Sequence, residues 1–159
     1  MVLGLPLHPL FAHAVVAFVP LAALGAILMA LWPAAARRLW PAVLFVATIG
    51  LAAVPLTVGS GETLEEKVGE GELVEDHARL GEQVLPFVIV LWLAVVAICA
   101  WVYVTERGRR APGEPSGPRP WWRITLPVAV AVLALVGGIR STVTVVAAGH
   151  SGAKAVWTK

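Results

Sequence analysis

Charge is scarce in this sequence: Asp, Glu, Lys and Arg together make up 14% of 159 residues, against about a quarter in an ordinary soluble domain. Cysteine is scarcer still. Cys99 stands alone, which excludes an internal disulfide and any zinc knuckle built on cysteine; it lies in an apolar run and reads as a small buried hydrophobe. No Lys or Arg precedes Arg37, so the positive segment that opens a cleavable signal peptide is missing, and no cleavage-like segment follows the first apolar stretch. The first helix is expected to stay and act as its own insertion signal. Neither Gly-x-Ser-x-Gly nor His-Glu-x-x-His occurs, so hydrolysis finds little support. Transport finds little either: there is no mid-membrane ionisable pair and no inverted repeat, and four helices would need to form a homo-oligomer to enclose a pathway.

What the sequence has in abundance is apolar surface. Hydrophobic residues make up 58% and the mean hydropathy is +0.82. A water-soluble fold of this length, room for a single domain, could not hide that much, so part of its solvent must be lipid. A bilayer-crossing helix needs about 20 mainly apolar residues. Four stretches qualify, at 9–32, 40–56, 84–104 and 122–146, predicting an all-α, integral membrane four-helix bundle. Pro20 and Pro55 fall inside the first two spans and should kink rather than end them.

Charge placement gives an orientation. The loop after the first span holds Arg37 and Arg38, and the loop 105–121 with its flank holds Arg107, Arg109, Arg110, Arg119 and Arg123. The opposite side holds Lys67, Arg79, Lys154 and Lys159 against eight acidic residues between Glu62 and Glu82. The positive-inside rule then puts the Arg loops in the cytoplasm and both termini outside, in a multi-pass protein of the bacterial cytoplasmic (inner) membrane. Trp32, Trp40, Trp101, Trp121, Trp122 and Tyr103 all fall at the cytoplasmic ends, as an aromatic belt would. Trp157 is placed to anchor the outer end, and Trp92, mid-span, reads as packing. The Pro-, Gly- and Arg-rich segment Glu106–Pro120 reads as a connector resting on anionic lipid. Its few Arg carry no interleaved aromatics, so no nucleic-acid partner is expected.

The outer loop 57–83 carries helical signals of its own. Thr63-Leu64-Glu65-Glu66 fits a capping box, and Glu72 to Asp76 and Glu75 to Arg79 are helical neighbours. A short amphipathic helix is expected, then a third span beginning above the bilayer near Leu73, with His77 on the protruding part.

All four histidines, His8, His13, His77 and His150, fall on that outer side. At 1.5 Å per residue from the cytoplasmic tryptophans, His13 reaches the edge of the hydrocarbon, and His8 and His77 lie about 7 and about 9 Å above it. His150 lies about 12 Å above if the last helix continues, and lower if Gly149 and Gly152 bend it. The four share one layer. His8 and His13, five apart, are separated by about 140° around a helix and cannot face one centre from regular turns. His8 precedes Pro9, however, and is expected just before the helix, free of that azimuth.

Imidazoles at one depth suit axial haem ligation, or a copper or zinc site in which Glu75 and Asp76, with Glu72, add carboxylate. They equally suit hydrogen bonding between helix ends. Arg140 interrupts the last apolar run near the outer boundary, where it reads either as a snorkelled charge or as an anchor for a haem propionate or an outer-loop acid. Gly137 and Gly138 allow close helix approach, and Ser141, Thr142 and Thr144 can bond across helices.

Three blocks carry a resemblance: Gly4-Leu5-Pro6-Leu7-His8-Pro9 with His13, Glu75-Asp76-His77-Ala78-Arg79-Leu80-Gly81-Glu82-Gln83, and Gly149-His150-Ser151-Gly152-Ala153-Lys154-Ala155-Val156-Trp157. In this order they resemble a widespread uncharacterised family of small four-helix bacterial membrane proteins, most closely its actinobacterial members, across essentially the whole chain. The resemblance implies the fold and no established activity. Relatives fused to Rieske-type iron–sulfur or c-type cytochrome domains imply membrane electron transfer with respiratory or redox membrane partners. Many relatives carry a further histidine in a tail after the last block. This chain reaches Lys159 without it, and the positions carried over are His8, His13, His77 and His150.

Three readings of the outer layer therefore stand side by side. One is haem b held by two or more histidines, passing electrons between a quinol pool and an external partner. Another is a copper or zinc site of His and carboxylate. The third is a non-catalytic structural or accessory subunit whose histidines and Arg140 knit the helix ends. All three favour an electron-transfer or accessory role over an enzyme.

Overall fold

A computed structural model describes residues 7–68, 71–110 and 121–157. Gly4 to Pro6 of the first block, most of the connector before Pro120, and Lys159 lie outside the described residues, as does the side chain of Trp122. Within them the chain is all helix: α1 (Leu7–Leu31), α2 (Pro33–Val68), α3 (Glu72–Glu82), α4 (Val84–Arg110) and α5 (Trp122–Trp157). The long helices α1, α2, α4 and α5 pack in that order around a ring, α5 closing onto α1, with only a weaker diagonal contact between α1 and α4. This is a four-helix bundle of up-down-up-down course. The segments Leu7–Leu31, Pro33–Glu65, Glu72–Gly108 and Ile124–Lys154 are each long and apolar enough to cross a membrane. Outward-facing side chains agree: Leu24, Leu31, Phe45, Val104 and Ile124 are each more than 60% exposed, a cost that lipid removes and water would not. The protein is a multi-pass membrane protein.

Small residues set the closeness of the helices. The buried core is built on Ala22, Ala23, Ala26, Ala94 and Ala134 around Val19, Leu91 and Val95. Lipid tails are as apolar as leucine, so helices in a bilayer gain by close packing rather than by hiding from solvent. A Cβ on Gly137 would come within 3.1 Å of the Leu91 backbone nitrogen, and one on Gly138 within 3.3 Å of Ala23 Cβ. The pair thus seats α5 against both α4 and α1, as expected. Ser141 and Thr144 do not bridge helices: their hydroxyls donate to the Gly138 and Arg140 carbonyls of α5 itself. Such back-bonding satisfies a hydroxyl in an apolar setting without any partner helix. Trp92 does bridge, donating from Nε1 to Thr48 Oγ1 at 3.1 Å.

Helix ends fall where the chain chemistry puts them. Only Trp32 separates α1 from α2, and Pro33 opens α2, where its missing N–H costs nothing. The Arg37–Arg38 loop is therefore absent, those arginines riding on the first turns of α2. At its other end α2 runs on through 57–68, which had been expected to be loop. Thr63 caps nothing: its hydroxyl donates back to the Gly59 carbonyl inside α2. The capping-box pattern fails because no chain break precedes it. The short amphipathic helix is α3, entered at Gly71, whose carbonyl accepts from Val74 and Glu75 at 2.8 and 3.0 Å. Pro86 ends α3: it has no N–H for the Glu82 carbonyl, and its ring clashes there. Beyond that break α4 begins at Val84, so the third span does not run continuously from near Leu73 as expected, and His77 lies on the separate α3. Likewise α4 continues into the connector as far as Arg110, and α5 passes through Gly149 and Gly152 without a break.

Together α3 and α4 span about 55 Å at 1.5 Å per residue, well beyond a hydrocarbon core of about 30 Å. The polar α3 is the part that protrudes. It lies across one end of the bundle, mainly against α5 and more lightly against α2 and α4. That end also holds the first turn of α1 and the last turns of α2 and α5; it is called here the histidine end, and the opposite one the Arg37 end.

Candidate functional site at the histidine end

Small side chains on every wall open a cavity of about 560 Å³ under α3. Ala12 of α1, Gly61 of α2, Ala78 and Gly81 of α3, and Ala148 and Gly152 of α5 all line it. Apolar walls come from Val15, Val54, Val74, Val84 and Val145. Two histidines meet inside: the rings of His8 and His77 lie 5.8 Å apart, centre to centre, with planes at 88°.

Each ring is held by a backbone carbonyl of a different helix. His8, in the first turn of α1 rather than before it, donates from Nδ1 to the Thr57 carbonyl of α2 at 2.9 Å. His77 of α3 donates from Nδ1 to the Ala148 carbonyl of α5 at 3.0 Å, with Ser151 Oγ at 3.1 Å. Ser151 in turn donates its hydroxyl to the same Ala148 carbonyl at 2.9 Å, which leaves its oxygen free to accept from His77. A carbonyl oxygen can only accept, so the proton of each neutral ring sits on Nδ1 and Nε2 carries the lone pair. Carbonyl-held imidazole is the arrangement that orients a histidine as a metal ligand. For His77, burial pushes the pKa below its ordinary value of 6.5; the hydrogen bond to Ala148 opposes this, the neighbouring His8 reinforces it, and Glu65 opposes it. The ring is thus kept neutral near pH 7, with Nε2 bare.

Glycines make the seats. A Cβ on Gly61 would stand 3.1 Å from Cε1 and Nδ1 of His8, and one on Gly152 would stand 2.9 Å from Cε1 of His77. No side chain larger than hydrogen fits under either ring without moving it.

The other candidate residues are dispersed. His13 lines the cavity but is exposed, its Nδ1 turned back to the Pro9 carbonyl one turn earlier. His150 is exposed on α5 and does not line the cavity. Glu72, Glu75 and Asp76 are exposed on α3, and Asp76 pairs with Arg79 at 2.9 Å on that outer side. Arg140 also lies outside the cavity, its guanidinium 5.0 Å from the centre of the Phe87 ring in a cation–π contact. Among the described residues, no three His, Cys, Asp or Glu side chains come together as a group able to hold a metal ion. The shared depth of the four histidines is therefore not a shared centre: two of them meet.

The carboxylates that do line the cavity are Glu62, Glu65 and Glu82. The sequence gives none of them, nor Thr57, Gly61 or Ser151, a role at a site. A signal was present: Thr57, Gly61 and Glu65 are spaced by four, one face of a helix, but only if α2 is extended that far. Set against family models, curated proteins and solved structures, the chain matches none of them.

Proposed function

We propose that this protein carries haem b at the histidine end, with His8 and His77 as the axial pair, and serves membrane electron transfer. The observation that carries the reading is the pair itself: two rings from separate helices, each fixed through Nδ1, facing one cavity 5.8 Å apart. A bare zinc ion wants three or four protein ligands, and among the described residues no three ligating side chains meet here. Axial haem ligation needs only two. The cavity, at about 560 Å³, matches sites for organic cofactors and far exceeds what an ion fills.

In this reading the Thr57 and Ala148 carbonyls would orient the rings, and the valines would supply apolar contact to the group. When bound, the haem supplies one-electron chemistry tuned by its ligands and their hydrogen bonds. Among the described residues no Lys or Arg lines the cavity while Glu62, Glu65 and Glu82 do, so haem carboxylates would gain no counter-charge there, and affinity would rest on the two histidines and the apolar walls. The positive-inside rule places this end outside the cytoplasmic membrane of a bacterium, toward an external redox partner, with a quinol pool as the membrane-side donor.

The same two hydrogen bonds also favour a second reading, a non-catalytic membrane subunit whose histidines tie α1 to α2 and α3 to α5. Haem content separates the two. After expression with adequate haem supply, the first predicts a Soret band and about one haem per chain by the pyridine haemochrome assay. A colourless, folded protein leaves the helix-tying role.

A further inference from the structure

A second cavity, about 570 Å³, opens at the Arg37 end between the close of α1, the start of α2, the close of α4 and the start of α5. Alanines make it: Ala30, Ala36, Ala97 and Ala131 face it from the four helices. Its polarity is graded along the bundle axis. Met29, Ile98 and Val130 form an apolar floor, while Arg37, Thr105 and Glu106 lie at the lip. From Ile98 to Glu106 is a climb of about 12 Å along α4. The lip sits at the level of Trp101 and Tyr103, the aromatic residues that mark a headgroup region. The cavity is thus apolar at its floor and charged at its lip, which matches an amphiphile.

The charge at the lip selects the sign of that amphiphile. Arg37 Nε approaches Glu106 Oε1 only to 3.9 Å, with the side chains 42% and 35% exposed. That is far from the 2.7–2.9 Å of a charge-assisted hydrogen bond, and the pair is open to screening. Arg37 therefore keeps its donor fork available, and Arg38 beside it is exposed. Arg107, next to Glu106 on α4, stacks 4.5 Å over the Tyr103 ring and adds a third positive charge against the one negative charge of Glu106. A guanidinium fork matches phosphate oxygens in geometry as well as sign.

We propose that this cavity holds one anionic phospholipid, an acyl chain along the apolar floor and the phosphate on Arg37.

The test is native mass spectrometry of the purified chain offered phosphatidylglycerol and phosphatidylcholine in equal amounts. One phosphatidylglycerol should be retained preferentially. Arg37→Gln should reduce that preference about fivefold, the worth of one Arg at a lipid headgroup. Ala97→Phe should abolish retention by filling the floor, and Ala97→Leu, a smaller filling, should weaken it if the larger side chain prevents folding. Equal retention of the two lipids by the native protein would overturn the proposal, as would an unchanged preference in Arg37→Gln or full retention in a folded Ala97 variant.

Discussion

Replacing Gly152 by alanine tests how His77 is held. The new Cβ would stand 2.9 Å from Cε1, 3.2 Å from Nδ1 and 3.4 Å from Nε2 of the ring. Non-bonded carbons settle at about 3.5–4.0 Å, so the ring must retreat by about 0.6 Å or more. The 3.0 Å bond to the Ala148 carbonyl would then stretch past hydrogen-bonding range. Losing it costs about 1 kcal/mol, while Gly→Ala in a helix interior returns about the same. Global stability should therefore move by less than about 0.5 kcal/mol, but the docking of α3 should not escape. No residue of α3 is fully buried, so little else holds it down. Amide hydrogen exchange over residues 72–82 should accelerate about fivefold, the equivalent of about 1 kcal/mol of local opening. Gly149→Ala is the control on the same helix, with nothing within 4 Å of its Cβ; it should stabilise slightly and leave α3 alone. Equal exchange across α3 in the two variants would refute the seat assigned to Gly152.

Two further predictions follow from named contacts. The folded protein protonates His77 less readily than an unfolded chain does, so below pH 6.5 the unfolded state binds more protons and stability is lost as pH falls. Protection factors over α3, exchange corrected for its intrinsic pH dependence, should fall between pH 7 and pH values below 6.5 in the native protein and stay flat in His77→Gln. Leu91, 1% exposed beside Gly137, fills the α4–α5 seam, and Leu91→Ala should cost about 2–5 kcal/mol in unfolding from detergent micelles, well above Ala controls on the lipid face.

Much of the fold was legible in the residues, because hydropathy and length alone define what can cross a bilayer. The long helices and the small-residue seam at Gly137 and Gly138 follow from local chemistry, whereas the break before Val84 was not anticipated. Nor was the extent of α2. Gly59, Ser60, Gly61 and Thr63 look like loop residues, yet each hydroxyl here is satisfied by its own helix backbone. Reading them as loop hid the wall that carries Thr57, Gly61 and Glu65. The site was half legible. Depth along each helix put the histidines in one layer, but depth says nothing of azimuth. The rings of His8 and His77 meet while His13 stays exposed at the cavity and His150 lies outside it, and His77 reaches His8 only because α3 folds over α5 between Gly71 and Pro86. Arg140 shows the same limit: its height was readable, its turn toward Phe87 was not.

The central claim is that His8 and His77, and not the other two histidines, form one cofactor-binding pair. The measurement that tests it most directly is the visible spectrum, oxidised and reduced, of the purified protein and of four single His→Gln variants. The account predicts a Soret band and a sharp reduced α-band in the native chain, both lost in His8→Gln and His77→Gln and both kept in His13→Gln and His150→Gln. A native protein without a Soret band, or a spectrum that survives the loss of His8 or His77, would contradict it.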